Sequence, residues 1–306
     1  MAACRRIKSM GKDEFRAFFN SFDVVLSDCD GVLWREMEVV HRSPETVEKL
    51  KEMGKKFYYI TNNDCKTRAD LINKCKSLTY DATEEDMLCS SYLAAIYLKQ
   101  KNFAQKAYVV GGPAIVKELE AQGIKSVGVG PDVMEGDEVD TLLRFKPDPE
   151  VGAVIVGFDK HFSYPKLMKA ATYLHEPHVL FIGTHPDVER PSPNRNRFPG
   201  PGCLLRAIEA VAGRQATILG KPGPFVGELI KKKYNVDPAR TLMIGDNLNT
   251  DILLGKRFGY TTLLVMSGVT TDADLQRLQK DPKNSIVPNF YADRLSDVLD
   301  CLKAYS

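Results

Sequence analysis

Strand-like and helix-like segments alternate along this chain from end to end, and this alternation limits the folds open to it more than any other feature. Short apolar runs such as residues 22–27 (FDVVLS) and 57–60 (FYYI) are separated by longer stretches of helical period. Helix starts are marked as well, because Ser43, Pro44 and Glu45 supply an N-cap, a proline at the first helical position and an acidic residue for the dipole. The pattern predicts an α/β protein built on a parallel sheet covered by helices.

The size and composition of the chain narrow its class further. Its 306 residues suggest about two globular units, and 43% hydrophobic with 27% charged residues is typical of an ordinary folded protein. A net charge of +2 without a basic stripe argues against nucleic acid as a partner, and no apolar run reaches the roughly 18 residues of a membrane span. Seven cysteines without C-x-x-C spacing indicate free thiols in a reducing compartment, so we expect a cytoplasmic protein.

Polar side chains follow four of the apolar strands, at the points where those strands end. The carboxyl ends of parallel strands lie at one edge of a sheet, where α/β proteins bind ligands, so we expect these groups to meet. Taken singly, each group is more typical of a turn than of a catalytic site, but their order along the chain favours a joint site. The four groups are Asp28-Cys29-Asp30-Gly31, Thr61-Asn62-Asn63, Gly220-Lys221-Pro222, and Gly245-Asp246 with Asp251.

Four of these residues, Asp28, Asp30, Asp246 and Asp251, are acidic and would repel one another. Two unit charges about 4 Å apart repel by roughly 4 kcal/mol at an effective dielectric constant near 20. Positive charge is therefore expected among them: Lys221 supplies one charge, and an oxygen-seeking cation supplies the rest. Mg2+ suits a site with few carboxylates that keeps water and substrate phosphate as further ligands. A Ca2+ loop fits poorly, because an EF-hand spaces its acidic residues at alternate positions between two helices.

Five ordered segments give the chain a family resemblance that spans nearly its whole length. They read VLSDCDGVLW, FYYITNNDCKTR, IVGFDKHFSY, GKPGPF and MIGDNLNTDILLG. With them the chain resembles the haloacid dehalogenase superfamily of aspartate-nucleophile phosphatases, and within it the capped branch of phosphoglycolate, pyridoxal phosphate and 4-nitrophenyl phosphatases. The resemblance implies a Rossmann-like core with a parallel sheet, and a large α/β cap domain inserted between the second and third motifs. It places the core at residues 1–102 and 215–306 and the cap at residues 103–214.

The resemblance also implies a covalent mechanism. Asp28 would attack phosphorus in line and form a phosphoaspartate, which splits one difficult hydrolysis into two easier steps. Asp30, two residues further on in an extended segment, would protonate the leaving alcohol and later deprotonate the attacking water. Thr61, Asn62 and Asn63 would hold the phosphoryl oxygens through backbone or side-chain groups.

The positive charges of the site are assigned by the same resemblance. Lys221 would neutralise the nucleophile and the transferring phosphoryl group. The expected Mg2+ ligands are the side chains of Asp28 and Asp246 and the backbone carbonyl of Asp30. Asp251 is expected to orient a metal-bound water without binding the metal itself.

Substrate choice is expected to come from the cap. In capped relatives the loops of the cap reach over the active site and select the leaving group. The corresponding loop here is residues 185–202, which is rich in proline. Within it we expect Arg190 to pair with a substrate carboxylate, and His185 is a second candidate for substrate contact. The family also suggests a homodimer joined through the caps.

The sequence thus predicts a Mg2+-dependent phosphatase that acts on a small-molecule phosphate ester similar to 2-phosphoglycolate and accepts 4-nitrophenyl phosphate as an artificial substrate. Two enzyme alternatives stay open: a pyridoxal 5'-phosphate or phosphoprotein phosphatase, and a nucleotidase. A third alternative is a catalytically inactive phosphate-binding scaffold that kept the fold. The retained set of Asp28, Asp30, Thr61, Lys221 and Asp246 argues against this last alternative.

Overall fold

The computed structural model describes residues 4–134, 136, 137, 140, 143–190, 196–280 and 286–305. Contacts within it divide the chain into two compact units. The first unit comprises Met1–Thr61, Arg68–Leu88 and Pro224–Ser306, and the second comprises Asn62–Thr67 and Cys89–Gly223. Within the described ranges, every helix is too short or too polar to span a membrane.

Strands and helices alternate in the structure as the sequence predicts. The described strands are β1 (Arg5–Arg6), β2 (Val24–Ser27), β3 (Trp34–Arg35), β4 (Glu38–Val39), β5 (Lys56–Thr61), β6 (Met87–Cys89), β7 (Lys106–Val110), β8 (Ser126–Val127), β9 (Val151–Val156), β10 (Leu180–Gly183), β11 (Glu189–Arg190), β12 (Phe198–Pro199), β13 (Thr217–Ile218), β14 (Thr241–Gly245), β15 (Thr261–Val265) and β16 (Phe290–Ala292). The described α-helices are α1 (Lys12–Asn20), α2 (Ser43–Glu52), α3 (Arg68–Ser77), α4 (Ser90–Gln100), α5 (Pro113–Glu120), α6 (Tyr164–Leu174), α7 (Pro201–Ala212), α8 (Pro224–Tyr234), α9 (Leu253–Phe258), α10 (Asp272–Gln279) and α11 (Ser296–Tyr305). The predicted α/β class is confirmed.

Among the described residues of the first unit, a seven-stranded sheet runs in the order β1-β16-β15-β14-β2-β5-β6. The strands from β1 across to β5 are parallel. Strand β2 lies between β14 and β5 with all four of its residues buried, which explains why its first three residues, Val24, Val25 and Leu26, are all apolar. Because parallel strands end at one edge, the residues that follow β2 and β14 lie at the same edge as the end of β5.

Segments near both ends of the described chain pack into this first unit. Strand β1 pairs with β16 near the other terminus. Helix α1 buries Phe15, Phe18 and Phe19, and the ring of Phe18 meets the ring of Phe290 edge to face at 4.7 Å. An aromatic pair of this kind adds about 0.5–1.5 kcal/mol beyond the burial of its surface.

A second parallel sheet, with five strands in the order β13-β10-β9-β7-β8, forms the described core of the second unit. Val110, Val154 and Phe181 belong to its buried apolar cluster. The extent of this unit differs from the predicted cap, because α4 packs against α5 and β13 pairs with β10. Residues 62–67, 89–102 and 215–223, which the sequence-based division placed in the core, belong to the second unit by their contacts.

Candidate active site

The Asp28 carboxylate is held at the start of the loop that follows β2. The nitrogen of Asp28 donates to the carbonyl oxygen of Ile244 at 2.9 Å, and Cys29 N donates to Asp28 Oδ1 at 2.7 Å. The chain then turns sharply, because the φ of Gly31 is 84°, a left-handed value that L-residues rarely adopt. Gly31 N donates to the carbonyl oxygen of Trp34 at 2.8 Å and closes the turn. The nucleophile predicted from the sequence therefore lies in a well-defined turn at the end of a buried strand.

Asp28, Asp246 and Asp251 form one cluster of carboxylates in the first unit. One oxygen atom from each lies within 4.8 Å of the other two. Asp246 follows β14, and its Oδ2 accepts a hydrogen bond from Val269 N at 2.8 Å. Asp251 is fully buried in a turn of π-helix, and its Oδ2 accepts from Asn247 N at 3.1 Å. The structure thus brings together three of the four acidic residues singled out in the sequence, Asp251 among them.

Two glycines make room for the Asp246 carboxylate. Gly31 lies on the loop after β2, and Gly268 lies on the segment that follows β15. A Cβ atom built on either glycine would collide with Asp246 Oδ2. Both positions therefore need glycine if the carboxylate is to keep its place beside Asp28 and Asp251.

The composition of the cluster fits a divalent cation. Two unit charges 4.8 Å apart repel by about 3.5 kcal/mol at an effective dielectric constant near 20, so three ionised carboxylates require a counter-charge. All three donors offer oxygen atoms, which hard divalent cations prefer over nitrogen and sulfur. Because Gly31 and Gly268 have no side chains, the Asp246 carboxylate can lie close to the carboxylates of Asp28 and Asp251. Asp28, Asp246 and Asp251 are thus residues that could hold a divalent metal ion.

The Asp30 side chain contacts a different set of residues from the carboxylate cluster. Its Oδ1 accepts a hydrogen bond from Trp34 Nε1 at 2.9 Å and lies 3.6 Å from Lys74 Nζ. The side chain of Asp30 is 40% exposed, so solvent and small molecules can reach it. Among the described residues the two aspartates of the D-x-D motif are therefore held in separate surroundings, as two different chemical roles would require.

Thr61 lies at the same sheet edge as Asp28. It is the last residue of β5, the strand that pairs in parallel with β2, and it is buried. The register places Ser27 opposite Tyr59, so both strands reach the edge within two residues of each other. The first unit therefore carries five of the predicted site residues: Asp28, Asp30, Thr61, Asp246 and Asp251.

Asn62 and Lys221 are joined to each other in the second unit. Lys221 N donates to Asn62 Oδ1 at 2.8 Å, and Asn62 Nδ2 donates to the carbonyl oxygen of Lys221 at 2.9 Å. The lysine is buried, with 2% of its surface exposed. Two predicted phosphate-binding residues that stand 159 positions apart in the chain are thus adjacent in space.

A buried histidine lies between two aspartates of the second unit. His185 Nδ1 is 2.8 Å from Asp187 Oδ2, and His185 Nε2 is 3.8 Å from Asp64 Oδ2. Burial by itself lowers the pKa of His185, but the contact with Asp187 and the charge of Asp64 outweigh it and raise the pKa above its usual value. Burial likewise opposes ionisation of Asp187, yet the contact with the His185 imidazole lowers the pKa of that carboxyl. The pair therefore favours the imidazolium and carboxylate forms.

Both aspartates connect this histidine to neighbouring groups. Asp187 Oδ2 accepts a hydrogen bond from Asn62 Nδ2 at 3.1 Å. Asp64 Oδ2 accepts from Thr184 Oγ1 and from Phe158 N, each at 2.8 Å. The segment that carries Asn62 is thus fixed to the end of β10 by a network of charged and neutral hydrogen bonds.

The side chain of Asn63 closes a local turn. Its Oδ1 accepts hydrogen bonds from Cys65 N at 3.0 Å and from Lys66 N at 3.1 Å. This is the turn that asparagine side chains form with the backbone two and three residues on. The side-chain oxygen of Asn63 therefore shapes the segment after β5.

Arg190 contacts an aromatic ring of its own unit. It lies on β11, which pairs antiparallel with β12, and its guanidinium carbon is 4.1 Å from the centroid of the Phe158 ring. A guanidinium over an aromatic face is attracted to the ring by about 0.5–2 kcal/mol. Residues 191–195 of the predicted specificity loop lie outside the described residues, so the described part of that loop is residues 185–190 and 196–202.

Sequence reasoning missed three charged residues that the structure places in these networks. Asp64 directly follows the T-N-N segment, and Asp187 stands two residues after His185, but aspartates are common in loops and nothing local distinguished them. Lys74 on α3 could not be recognised from the sequence as a partner of Asp30. The two residues are 44 positions apart in the chain, and only the fold brings them together.

Comparisons with known proteins find several that are similar to this chain. Residues 25–125 match the family described as haloacid dehalogenase-like hydrolase, and residues 218–298 match the one described as HAD-hydrolase-like. Glycerol-3-phosphate phosphatase of Homo sapiens is 41% identical over an alignment that covers 99% of this chain and 97% of that protein. Phosphoglycolate phosphatase 2 of Arabidopsis thaliana is 33% identical, with 96% of this chain and 98% of that protein covered. The solved structure of 4-nitrophenylphosphatase from Thermotoga maritima is 29% identical and has a TM-score of 0.77, with 94% of this chain and 99% of that chain covered.

Proposed function

Because this chain belongs to the haloacid dehalogenase-like hydrolases and is a phosphoric monoester hydrolase, we propose that it cleaves small phosphate esters with Mg2+ through a phosphoaspartate on Asp28. One observation carries this proposal. Asp28 directly follows the buried strand β2 and shares a carboxylate cluster with Asp246 and Asp251. A nucleophile and a cation site at one sheet edge are what phosphoryl transfer to an aspartate requires.

The two aspartates of the D-x-D motif divide the chemistry. An oxygen of Asp28 attacks phosphorus, so that a P–O bond to the aspartate forms while the P–O bond to the leaving alcohol breaks. Asp30, held apart from the cluster by its contact with Trp34, gives its proton to the leaving oxygen. Asp30 then takes a proton from the water that attacks the phosphoaspartate, and inorganic phosphate and free Asp28 result.

The remaining polar residues are proposed to bind the phosphoryl group and the metal. When bound, Mg2+ supplies the positive charge that offsets the repulsion between the carboxylates and the phosphate. Its proposed ligands are the side chains of Asp28 and Asp246 and the carbonyl oxygen of Asp30, while Asp251 orients a water molecule. The proposed phosphoryl-binding residues are Thr61, Asn62, Asn63 and Lys221.

The proposed substrates are small anionic esters of two or three carbon atoms. Two relatives support this class, since they are named for glycerol 3-phosphate and for phosphoglycolate. These esters differ in one useful way: phosphoglycolate carries a carboxylate, and glycerol 3-phosphate does not. If Arg190 pairs with a substrate carboxylate, the variant Arg190→Ala should weaken turnover of phosphoglycolate and spare glycerol 3-phosphate. Pyridoxal 5'-phosphate and nucleoside monophosphates are the competing substrates.

A turnover assay with matched variants tests the proposal. Release of inorganic phosphate is measured for 4-nitrophenyl phosphate, glycerol 3-phosphate, phosphoglycolate, pyridoxal 5'-phosphate and a nucleoside monophosphate, each with Mg2+ and with a chelator. Asp28→Asn should abolish turnover because an amide oxygen cannot attack phosphorus, whereas Asp13→Asn on the exposed face of α1 should leave it unchanged. Turnover by Asp28→Asn within about tenfold of the wild type would contradict the covalent mechanism. Phosphate binding without turnover of any ester would favour the inactive scaffold instead.

Two further proposals concern the cellular location and the oligomeric state of the enzyme. A cytoplasmic location is proposed because all seven cysteines are free thiols, as a reducing compartment would keep them. A homodimer joined through the second unit is proposed from the family resemblance. A monomeric mass in light scattering at micromolar concentration would contradict the dimer.

A further inference from the structure

We propose that Trp34 and Lys74 are positioning residues for the acid–base carboxyl of Asp30, and that they set how poor a leaving group the enzyme can expel. The inference rests on the proposed function, because it takes Asp30 as the proton donor. It assigns a task to two residues that neither bind phosphate nor belong to the carboxylate cluster. All three residues lie in the first unit.

The three side chains form a closed set of contacts. Trp34 Nε1 donates to Asp30 Oδ1 at 2.9 Å, and Lys74 Nζ lies 3.6 Å from the same oxygen. The Lys74 ammonium also lies over the Trp34 ring, 4.7 Å from its centroid. Each residue thus contacts the other two, so the position of the carboxyl depends on both partners.

The indole is held rigidly, which lets it fix the carboxyl. Trp34 is completely buried, and its ring meets Tyr80 edge to face at 5.5 Å. Tyr80 is fixed in turn, because its hydroxyl donates to the carbonyl oxygen of Leu33 at 2.7 Å and lies 2.6 Å from Ser43 Oγ. The Asp30 side chain, 40% exposed, therefore has a rigid hydrogen-bond donor on one side.

Trp34 and Lys74 both contact Oδ1 of the Asp30 carboxyl group. Within the part of the chain that the structure describes, Oδ1 receives the indole and the ammonium, which leaves Oδ2 for proton transfer. When Oδ2 gives its proton to the leaving oxygen, Asp30 changes from a neutral acid to a carboxylate. The Trp34 N–H and the Lys74 ammonium hold Oδ1 in place, so they fix the orientation in which the carboxyl presents Oδ2 for proton transfer.

This arrangement should matter in proportion to the need for a proton. An alkyl phosphate has a strongly basic leaving oxygen and requires protonation as the P–O bond breaks. The 4-nitrophenolate ion is a good leaving group and departs with little help. Loss of either positioning residue should therefore reduce kcat for alkyl phosphates far more than kcat for 4-nitrophenyl phosphate, with KM little changed.

Three variants test the inference in the full-length enzyme. Trp34→Phe keeps an aromatic ring and removes the N–H donor, Lys74→Met keeps the stem and removes the charge, and Lys74→Arg restores the charge. Lys76→Met is the matched control, since it removes an exposed lysine two residues further along α3. We expect the first two variants to lose about tenfold or more in kcat on glycerol 3-phosphate and less than about threefold on 4-nitrophenyl phosphate. Lys74→Arg should recover most of the loss, and Lys76→Met should behave as the wild type.

The outcomes separate this inference from the proposed function. Equal losses on both esters, or a change confined to KM, would show that Trp34 and Lys74 are merely structural and would overturn the inference while the phosphatase proposal stands. Variants as active as the wild type on glycerol 3-phosphate would overturn it too. A thermal unfolding curve checks that Trp34→Phe is folded, and Lys74→Met repeats the test at a half-buried position if it is not. A wild type inactive on every ester would refute the proposed function, and this inference with it.

Discussion

Gly268→Ala should weaken metal binding without touching a metal ligand. A Cβ at this position would collide with the side chain of Asp246, whose Oδ2 now accepts a hydrogen bond from Val269 N at 2.8 Å. The backbone on both sides of Asp246 is fixed by β14 and by the hydrogen bonds of Thr270 to its carbonyl oxygen. The carboxylate must therefore move, and it then loses the hydrogen bond from Val269.

The structure sets the size of the effect. A hydrogen bond to a charged group contributes about 1.5–3 kcal/mol, and each 1.4 kcal/mol is a factor of ten in an equilibrium constant. Mg2+ should therefore bind Gly268→Ala about 10- to 100-fold more weakly than it binds the wild type. The constant is measured by calorimetric titration of the metal-free enzyme with Mg2+, and in parallel as the Mg2+ concentration that gives half-maximal turnover.

A matched glycine provides the control for this experiment. Gly11, before α1, also has a φ outside the left-handed region, and a Cβ there would meet no atom within 4 Å. Gly11→Ala should bind Mg2+ as the wild type does. If Gly268→Ala also binds Mg2+ as tightly as the wild type, the position of the Asp246 carboxylate does not depend on the missing side chain at Gly268. That result would refute the prediction.

Two further predictions concern the second unit. Lys166 and Asp159 form an ion pair whose side chains are 0% and 2% exposed, so Lys166→Met should lower the free energy of unfolding by about 3–5 kcal/mol, because it leaves a buried carboxylate without its partner. Urea unfolding measures this, and a loss under about 1 kcal/mol would contradict it. His185, whose pKa is raised by Asp187 and Asp64, should stabilise the fold fully below pH 6.5, its usual pKa, and progressively less as the pH rises through the pKa of the folded state. The difference in unfolding free energy between the wild type and His185→Gln should therefore shrink from pH 6 to pH 9, and a difference independent of pH would count against the charged pair.

The class of the fold and part of the site could be predicted from the sequence because their information is local. Apolar runs separated by helical segments predict a parallel sheet, and strand ends in such a sheet share an edge. Asp28 and Asp246 follow strands directly, so a strand assignment was enough to place them together, and the structure has both in one cluster. Thr61 ends a neighbouring strand and was placed by the same argument.

Other features depend on distances that no local pattern contains. The sequence marks Asp251 as an acidic residue near Asp246, but only a turn of π-helix places its carboxylate beside those of Asp28 and Asp246. The family resemblance implies a cap at residues 103–214, whereas contacts assign Asn62–Thr67 and Cys89–Gly223 to the second unit. Pairing of β13 with β10 and packing of α4 on α5 decide this extent. Strand pairing and helix packing join residues far apart in the chain, so the boundary follows tertiary contacts.

The sequence by itself determined which residues are candidates for catalysis and metal binding. The type of a side chain and its position after a predicted strand can both be read from the sequence alone. Only the tertiary structure decided which neighbours each of them has. Lys74 reaches Asp30 from a helix 44 positions away, and His185 meets Asp64 across more than a hundred residues of intervening chain. Contacts of this kind form because burial of the core fixes the helices and strands, and the side chains at their ends then meet partners that their own sequence neighbourhood does not specify.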